Sequence, residues 1–483
     1  MQKSLTQNSF FYFIYNVLNM IFPFLTSMYV ARILPPVVVG EVAYAQNIVS
    51  YFSILAFLGI PTYGMREIAK ARNNHKELCK LFSELFILNF FSTVFFSILY
   101  YVLIFTVPDF QRQLLLHIVV GITVILNMLN ISWLFDGLEE FRYVSIRNGF
   151  FKFLMFFLLL LVVRTPDDMI PYAFITVLGV AGNNLVNVIY SKKFIKYQFH
   201  GLCFSRHMRS IFMLVMVNLA IEIYSLVGTT LLGFLSTKES VAFFSYADKT
   251  NKILLQITNT VTMVLVPRIA FYYGQGKLDE FNQLLTKALK VLVLMAVPMI
   301  ILIEFTADFL FPHVFGTLYI HSAYVEQILC FVLLIAPTGY LLGSRVLLVS
   351  RREEIMVFCV TAGAIVSVIS NYFLIQLYGE IGAAMATVFS ELVVAVLYIN
   401  FGRKEFSLLS LKKNFINIGL STVVMSIFLL VMRYFCAINW VTLFIQITGA
   451  VLLYAMSLRL LKDSVFCDYS NRVFNRVCRR KCV

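Results

Sequence analysis

Three cations and three carboxylates stand in stretches of this chain that are otherwise hydrocarbon. Asp248, Lys249 and Lys252 share one apolar run, Arg345 lies in another, and Glu222 and Glu391 fall near the middle of two more. Inserting a charge into such a segment costs about 2.5–3.5 kcal/mol or more, so these residues turn toward a bundle interior or a wet cavity and mark the path of an ion or substrate. Asp248 and Lys252 are four apart and can pair on one helix face. Lys249 and Lys252 are three apart, so both ammonium groups can point one way and hold an anion; otherwise they snorkel outward with Asp248 as partner. Arg345, about one turn before Arg351, either captures an anion or reaches headgroups. Arg32, Arg66 and Arg268 close apolar runs and either meet an anion at an entrance or anchor the chain to an interface. Glu222 and Glu391 must be protonated or paired with a cation, and with Asp248 they are the candidates for binding a coupling ion, H⁺ or Na⁺. Glu84 and Glu326 sit near the ends of their runs and read as interfacial. Glu304 and Asp308, close to an outer surface, read as solvated.

The elements that must position these residues are membrane helices. The chain is 60% hydrophobic and 13% charged, which leaves no room for a sizeable water-soluble domain. A helix crosses the hydrocarbon core with about 20 apolar residues. Fourteen runs of roughly that kind follow one another: 10–31, 41–62, 82–107, 113–135, 150–163, 170–190, 210–235, 241–266, 288–309, 323–349, 355–377, 381–401, 415–434 and 440–460. The run 150–163 is the shortest. Continuous apolar runs exclude a β-barrel, whose strands alternate over about ten residues. The first run is too long for a signal-peptide core and is expected to remain as a helix.

Charge sets the orientation. With the N-terminus in the cytoplasm, 31 of the 39 Lys and Arg fall inside, five outside and three within spans. This bias predicts both termini in the cytoplasm. The net charge of +14 then reflects loops facing anionic headgroups and requires no nucleic-acid partner. Five of the eight cysteines lie on the side where thiols stay reduced, so no disulfide framework is expected. Cys478 and Cys482 are unmodified thiols or lipid attachment points. No P-loop, HExxH or CxxC pair occurs, so no ATP-driven pump, metal site or cofactor is expected.

The halves repeat. Tyr44-Ala45 and Arg66 map onto Tyr246-Ala247 and Arg268 with a common offset of 202 residues. An offset of six spans implies parallel repeats. The expected fold is therefore all-α: a six-helix bundle over 1–200, a second over 201–410, two further helices over 411–461, and a basic cytoplasmic tail over 462–483.

The segment Val30–Arg72, ending in "YGMREIAKAR", and the segment Ser245–Ala270, ending in "VPRIA", resemble the Wzx-type polysaccharide flippases of the multidrug/oligosaccharidyl-lipid/polysaccharide (MOP) exporter superfamily. The resemblance covers most of the chain in order, although Pro35-Pro36 stands where the family usually has Gly-Pro. It implies a protein of the bacterial plasma membrane that moves an undecaprenyl-pyrophosphate-linked oligosaccharide to the outer leaflet for capsule, O-antigen or exopolysaccharide synthesis. It is not an enzyme on this reading, and a polysaccharide polymerase and a chain-length regulator are its expected partners.

The physical task fits. A bare sugar–pyrophosphate head meets a cost of several kcal/mol per unsatisfied polar group in hydrocarbon. A carrier needs a polar cavity, cations for the phosphates, and alternating access. Lys249, Lys252, Arg345, Arg32, Arg66 and Arg268 are the candidate ligands. Asn16, Asn19, Asn183, Asn184, Asn187 and Asn218 can bond sugars or merely join helices. Tyr44 and Tyr246 can stack on sugar rings or sit in an interfacial belt. The alternatives are an ion-coupled multidrug antiporter of the same superfamily, which would want an acidic or aromatic cavity, and a polymerase, which would want a long external loop.

Overall fold

The computed structural model describes residues 5–198, 200–403, 415–468 and 470. Lys404, Lys412, Lys413, the tail beyond 470 with Cys478 and Cys482, and the side chain of Asn218 lie outside the described residues. Among the described residues the regular structure is helical and no strand occurs. Two compact units form, Met1–Ser245 and Tyr246–Val483. The packing boundary thus falls 45 residues beyond the boundary expected at 200, because the helix Ser205–Leu235 packs on Pro36–Phe57 in the first unit.

The first unit contains α1 (Leu5–Ile33), α2 (Pro36–Phe57), α3 (Ile60–Ala71), α4 (His75–Thr106), α5 (Pro108–Gln111), α6 (Leu114–Leu126), α7 (Ser132–Gly137), α8 (Phe141–Val162), α9 (Met169–Ser191) and α10 (Ser205–Leu235). Pro36 opens α2, where its missing N–H is no loss. Leu58 and Gly59 then take left-handed φ values of 50° and 66° and end the helix. The expected run 41–62 is therefore broken, and "YGMREIAKAR" belongs to a short helix of its own. Asn74 caps α4 by accepting from the Glu77 N–H at 3.2 Å. The short run 150–163 proves to be the end of α8, a helix of 22 residues. Its first turns were masked in the hydropathy by Ser145, Arg147 and Asn148, all of which are buried. α1 packs on α8, α8 on α9, and α2 on α4, α6 and α10. Ile68, Phe82, Leu85, Trp133 and Phe135 form a core where α3, α4 and α7 meet.

α11 (Lys238–Gly274) runs from the end of the first unit into the second, which continues with α12 (Leu278–Phe315), α13 (Ile320–Leu329), α14 (Val332–Gly339), α15 (Arg345–Val349), α16 (Glu353–Gly402), α17 (Ile416–Phe435) and α18 (Trp440–Leu460). Between α14 and α15 the residues Tyr340–Ser344 form a π-turn. Gly379 breaks the 50 residues of α16 with φ 54° and ψ −128°. A Cβ on Gly382 would stand 2.0 Å from the Leu374 carbonyl oxygen, so the chain folds back on itself here. The two expected runs 355–377 and 381–401 are the arms of that hairpin. α17 and α18 pair with each other and lean on α12. The buried ion pair Lys290–Asp463, at 2.7 Å, ties the residues just after α18 to α12.

Among the described residues, 11 helical stretches are long and apolar enough to cross a membrane, or up to 12 if the bent α10 is one span, with α2–α3, α6–α7 and α13–α15 each taken as one stretch. That count takes the α16 hairpin once and does not include α11.

Candidate functional site

The second unit gathers most of the ionisable residues singled out above. Tyr246, on α11, is buried with its ring 4.9 Å from Phe315 and 4.8 Å from Tyr319. The next turn carries Asp248, Lys249 and Lys252. Lys252 Nζ pairs with Asp248 at 2.7 Å, the contact their spacing predicts. Lys249 is an exposed residue whose Nζ lies 5.3 Å from the Tyr246 ring centroid. The two ammonium groups therefore have different immediate partners.

Beside them stands Glu326, which the sequence had placed at an interface. It is 1% exposed, and neither carboxyl oxygen finds a hydrogen-bond partner among the described residues. The charge of Asp248 reaches it. The correction has a local cause. Gly316, at φ 110°, ends α12, and a single 3₁₀ turn over Thr317–Tyr319 leads into α13. Glu326 thereby sits in the second turn of a short helix packed between α12 and α16. On α12, Glu304 is half-buried and accepts from the Cys330 thiol at 3.7 Å, while its carbonyl accepts from Gln327 Nε2 at 3.1 Å. Asp308 is not simply solvated, since Arg433 of α17 donates to it at 2.6 Å.

A second constellation surrounds Arg345. The glycines of α14 and the π-turn allow close approach to α16: a Cβ on Gly339 would meet Ala395 at 2.8 Å, and one on Gly343 would meet Tyr398 at 2.2 Å. This packing brings Arg345 and Glu391, 46 residues apart in the chain, to the same pair of rings. Tyr340 and Tyr398, with centroids 6.3 Å apart, both sense the charges of Arg345 and Glu391. Arg345 Nε is buried and has no hydrogen-bond partner among the described residues. The π-turn Tyr340–Ser344 thus stands beside a half-buried guanidinium whose Nε has no partner among the described residues.

The remaining candidates are scattered. Arg32 is exposed on the last turn of α1, and Arg268 is exposed on α11. Arg66 is also exposed, sharing α3 with Glu67 at 3.1 Å and lying 5.5 Å from the Tyr63 ring. Glu222 is partly buried on α10, near the Tyr51 hydroxyl, which meets Thr230 at 2.9 Å. Tyr44 and Tyr246 are each 1% exposed, so neither belongs to an interfacial belt. They keep a common pattern: Lys238 lies 3.5 Å from the Tyr44 ring as Lys249 lies over that of Tyr246. The asparagines mainly join helices. Asn148 donates to Asn19 at 2.9 Å, and Asn184 donates to the Leu126 carbonyl at 3.0 Å.

Glu84 is the other residue whose interfacial placement fails. It is fully buried and gathers Cys203 N at 2.7 Å, Arg206 Nη2 at 2.5 Å and His207 Nε2 at 2.8 Å. Cys203 lies in the segment that joins α9 to α10, and Arg206 and His207 lie in the first turn of α10. Nothing in the local sequence signals this, since the partners are over 110 residues away.

Comparison with known proteins follows the same lines. The family described as "Polysaccharide biosynthesis protein" matches residues 5–272, and the family described as "MatE" matches residues 214–372. A protein of Escherichia coli (strain K12) described as an O-antigen transporter is 22% identical over 411 residues, covering 83% of this chain and 97% of the relative. The capsular polysaccharide biosynthesis protein CapF of Staphylococcus aureus is 21% identical over 417 residues, covering 83% of this chain and 100% of the relative. Among solved structures, the lipid II flippase MurJ in an inward closed conformation superposes with a TM-score of 0.75 at 15% identity, over 94% of this chain and 98% of that one. The fold is therefore that of MurJ and its relatives.

Proposed function

We infer the function from this premise: the chain belongs to the polysaccharide biosynthesis protein family. We propose that it is a flippase that carries a lipid-linked oligosaccharide across the plasma membrane of a bacterium for capsule, O-antigen or exopolysaccharide synthesis. The relatives described as an O-antigen transporter and a capsular polysaccharide biosynthesis protein, and the MurJ-like fold, support this reading. The observation that carries it is Arg345, a cation beside two tyrosine rings with an unmet buried donor. A phosphate oxygen suits such a guanidinium, and a sugar ring suits an aromatic face. Lys249 and Lys252 would meet the same anion at another stage of the passage. A polysaccharide polymerase and a chain-length regulator are the proposed downstream partners.

The proposed coupling ion is the proton, and its proposed carrier is Glu326. A buried carboxylate without a partner costs several kcal/mol, and the neutral acid avoids that cost. Sodium would need several oxygen ligands, whereas neither Glu326 oxygen has a polar partner among the described residues. Asp248, Glu222 and Glu391 differ: Asp248 holds Lys252, Glu391 shares the Arg345 rings, and Glu222 lies beside Tyr51. The test uses proteoliposomes loaded with a fluorescent polyprenyl-pyrophosphate oligosaccharide. The wild type should move it across the bilayer faster with an imposed pH gradient. Glu326→Gln should transport at a rate indifferent to the gradient. Equal stimulation of the variant and the wild type would dismiss Glu326 as the carrier, and no transport by the wild type would dismiss the flippase.

The MatE match favours a second reading, a multidrug antiporter. It expects organic cations as cargo, which Lys249 and Arg345 would repel. Drug-driven proton release from the same vesicles, without glycolipid movement, would favour it.

A further inference from the structure

One cavity of the first unit is not used by anything above. It measures about 740 Å³ and lies where the N-terminal end of α8 meets α1 and the C-terminal end of α9. Arg142, Arg147, Tyr143 and Tyr190 line it, with Glu139 and Glu140 at the turn before α8 and Ile146 and Phe150 on its flank. By the charge bias of the loops, this end of α8 faces the cytoplasm.

Its central residue is a buried cation without a counter-ion. Arg147 is 9% exposed. Its Nε donates to Asn183 Oδ1 at 3.1 Å, and its Nη1 donates to Asn187 Oδ1. The guanidinium also lies 5.4 Å from the Tyr143 ring, which stacks on Tyr190 at 3.8 Å. All of these partners are neutral. Asp136 is close enough for its charge to be felt, yet no carboxylate among the described residues forms an ion pair with Arg147. The first ten residues of the chain hold no Asp or Glu that could supply one. Glu139, on the rim, is taken by Arg72 at 2.9 Å. A second guanidinium, Arg142, is exposed and lies 6.0 Å from the Phe11 ring.

The surroundings specify the rest of the ligand. Arg147 lies six residues into α8, about 9 Å from its start at a rise of ~1.5 Å per residue. From the cavity, Ile146, Phe150, Phe153 and Phe157 continue along α8 at helical spacing, all between 57% and 63% exposed. An apolar stripe that starts at a buried cation matches an amphiphile with an anionic head. Burying a charge without a partner is costly, and the most economical way to remove that cost is for the ligand to bring the partner.

We propose that this cavity binds the phosphate of a lipid in the cytoplasmic leaflet, with Arg147 as the fixed ligand, Arg142 as the closing one, and the acyl or prenyl chain along the Ile146–Phe157 stripe. The assignment does not depend on transport, because occupancy is a property of the resting protein. Two lipids share the chemistry, an anionic phospholipid and a polyprenyl pyrophosphate, and the test separates them.

The full chain, purified in detergent, is titrated with phosphatidylglycerol, undecaprenyl pyrophosphate and diacylglycerol, with binding followed by native mass spectrometry. At least one phosphate lipid should bind well above diacylglycerol. Arg147→Gln should weaken it about ten-fold or more, the worth of one charge-assisted hydrogen-bonded contact. Preference for phosphatidylglycerol identifies a resident phospholipid, and preference for the polyprenyl lipid identifies a substrate waiting site; both support the proposal. Arg142→Gln, at an exposed position, should weaken binding by a smaller factor and guards against misfolding of the first variant. Diacylglycerol binding as tightly as the phosphate lipids, or undiminished binding by both variants, would overturn it.

Discussion

Removing the Glu84 side chain should loosen the segment that joins α9 to α10, and the structure sets the size of the effect. Glu84 Oε1 accepts from Cys203 N at 2.7 Å; Oε2 accepts from Arg206 Nε at 2.9 Å and Nη2 at 2.5 Å, and meets His207 Nε2 at 2.8 Å. His207 is itself 1% exposed, and its Nδ1 meets the Tyr63 hydroxyl at 2.8 Å. Glu84→Ala therefore leaves the buried His207 imidazole without its carboxylate partner and takes the acceptor from the Cys203 N–H. Breaking a buried ionic contact of this kind costs about 3–5 kcal/mol. The lower end applies here, because the Arg206 side chain is 35% exposed and retains Glu77 at 2.7 Å. Glu84→Gln keeps one acceptor and should cost about 1–3 kcal/mol. The assay is thermal unfolding in detergent together with limited trypsin digestion at the exposed Lys192 and Lys193. Glu84→Ala should melt several degrees lower and be cut faster within the joining segment, with Glu84→Gln in between. Wild-type melting and wild-type cleavage of Glu84→Ala would show that the network contributes nothing, and the argument from burial would fail.

Two further outcomes follow from the second unit. Arg345→Gln should fold as the wild type does but lower the initial rate of glycolipid flipping about ten-fold or more, since one charge-assisted bond to phosphate is lost; Arg345→Lys should recover only part of it, and an unchanged rate for Arg345→Gln would remove this residue from the site. Gly382→Val should destabilise the α16 hairpin by at least about 1–3 kcal/mol, because its Cβ would collide with the backbone oxygen of Leu374 at 2.0 Å; Gly419→Ala, whose Cβ meets nothing within 4 Å, is the matched control, and equal melting of the two variants would contradict the fold-back at Gly379.

What the sequence makes legible here is whatever depends on the run of residues alone. Apolar length places helices, and every one of the fourteen runs falls on helical chain. Period-four spacing finds the Asp248–Lys252 pair. The failures share a different cause, because burial of an ionisable group depends on partners that arrive from elsewhere. Glu84 and Glu326 look alike in sequence, each near the end of an apolar run, yet they end in opposite environments. Glu84 is met by a segment more than 110 residues later that brings it donors on both oxygens. Glu326 is carried inward by the turn at Gly316, and no donor comes. Hydropathy also hides the start of α8, since Arg147 and Asn148 lower it while facing inward. The same physical point separates scaffold from machinery. A buried ionisable group that has an opposite charge beside it, such as Lys290 with Asp463 at 2.7 Å, holds helices together. One whose complement is incomplete, such as Arg147 with only neutral hydrogen-bond partners, Arg345 with an idle N–H or Glu326 with two bare oxygens, carries a cost that a ligand or a proton can remove. Selection for packing alone would replace such groups with apolar ones of similar volume, often at no loss of stability. On the readings proposed above, that cost is removed at each of the three places by what binds there.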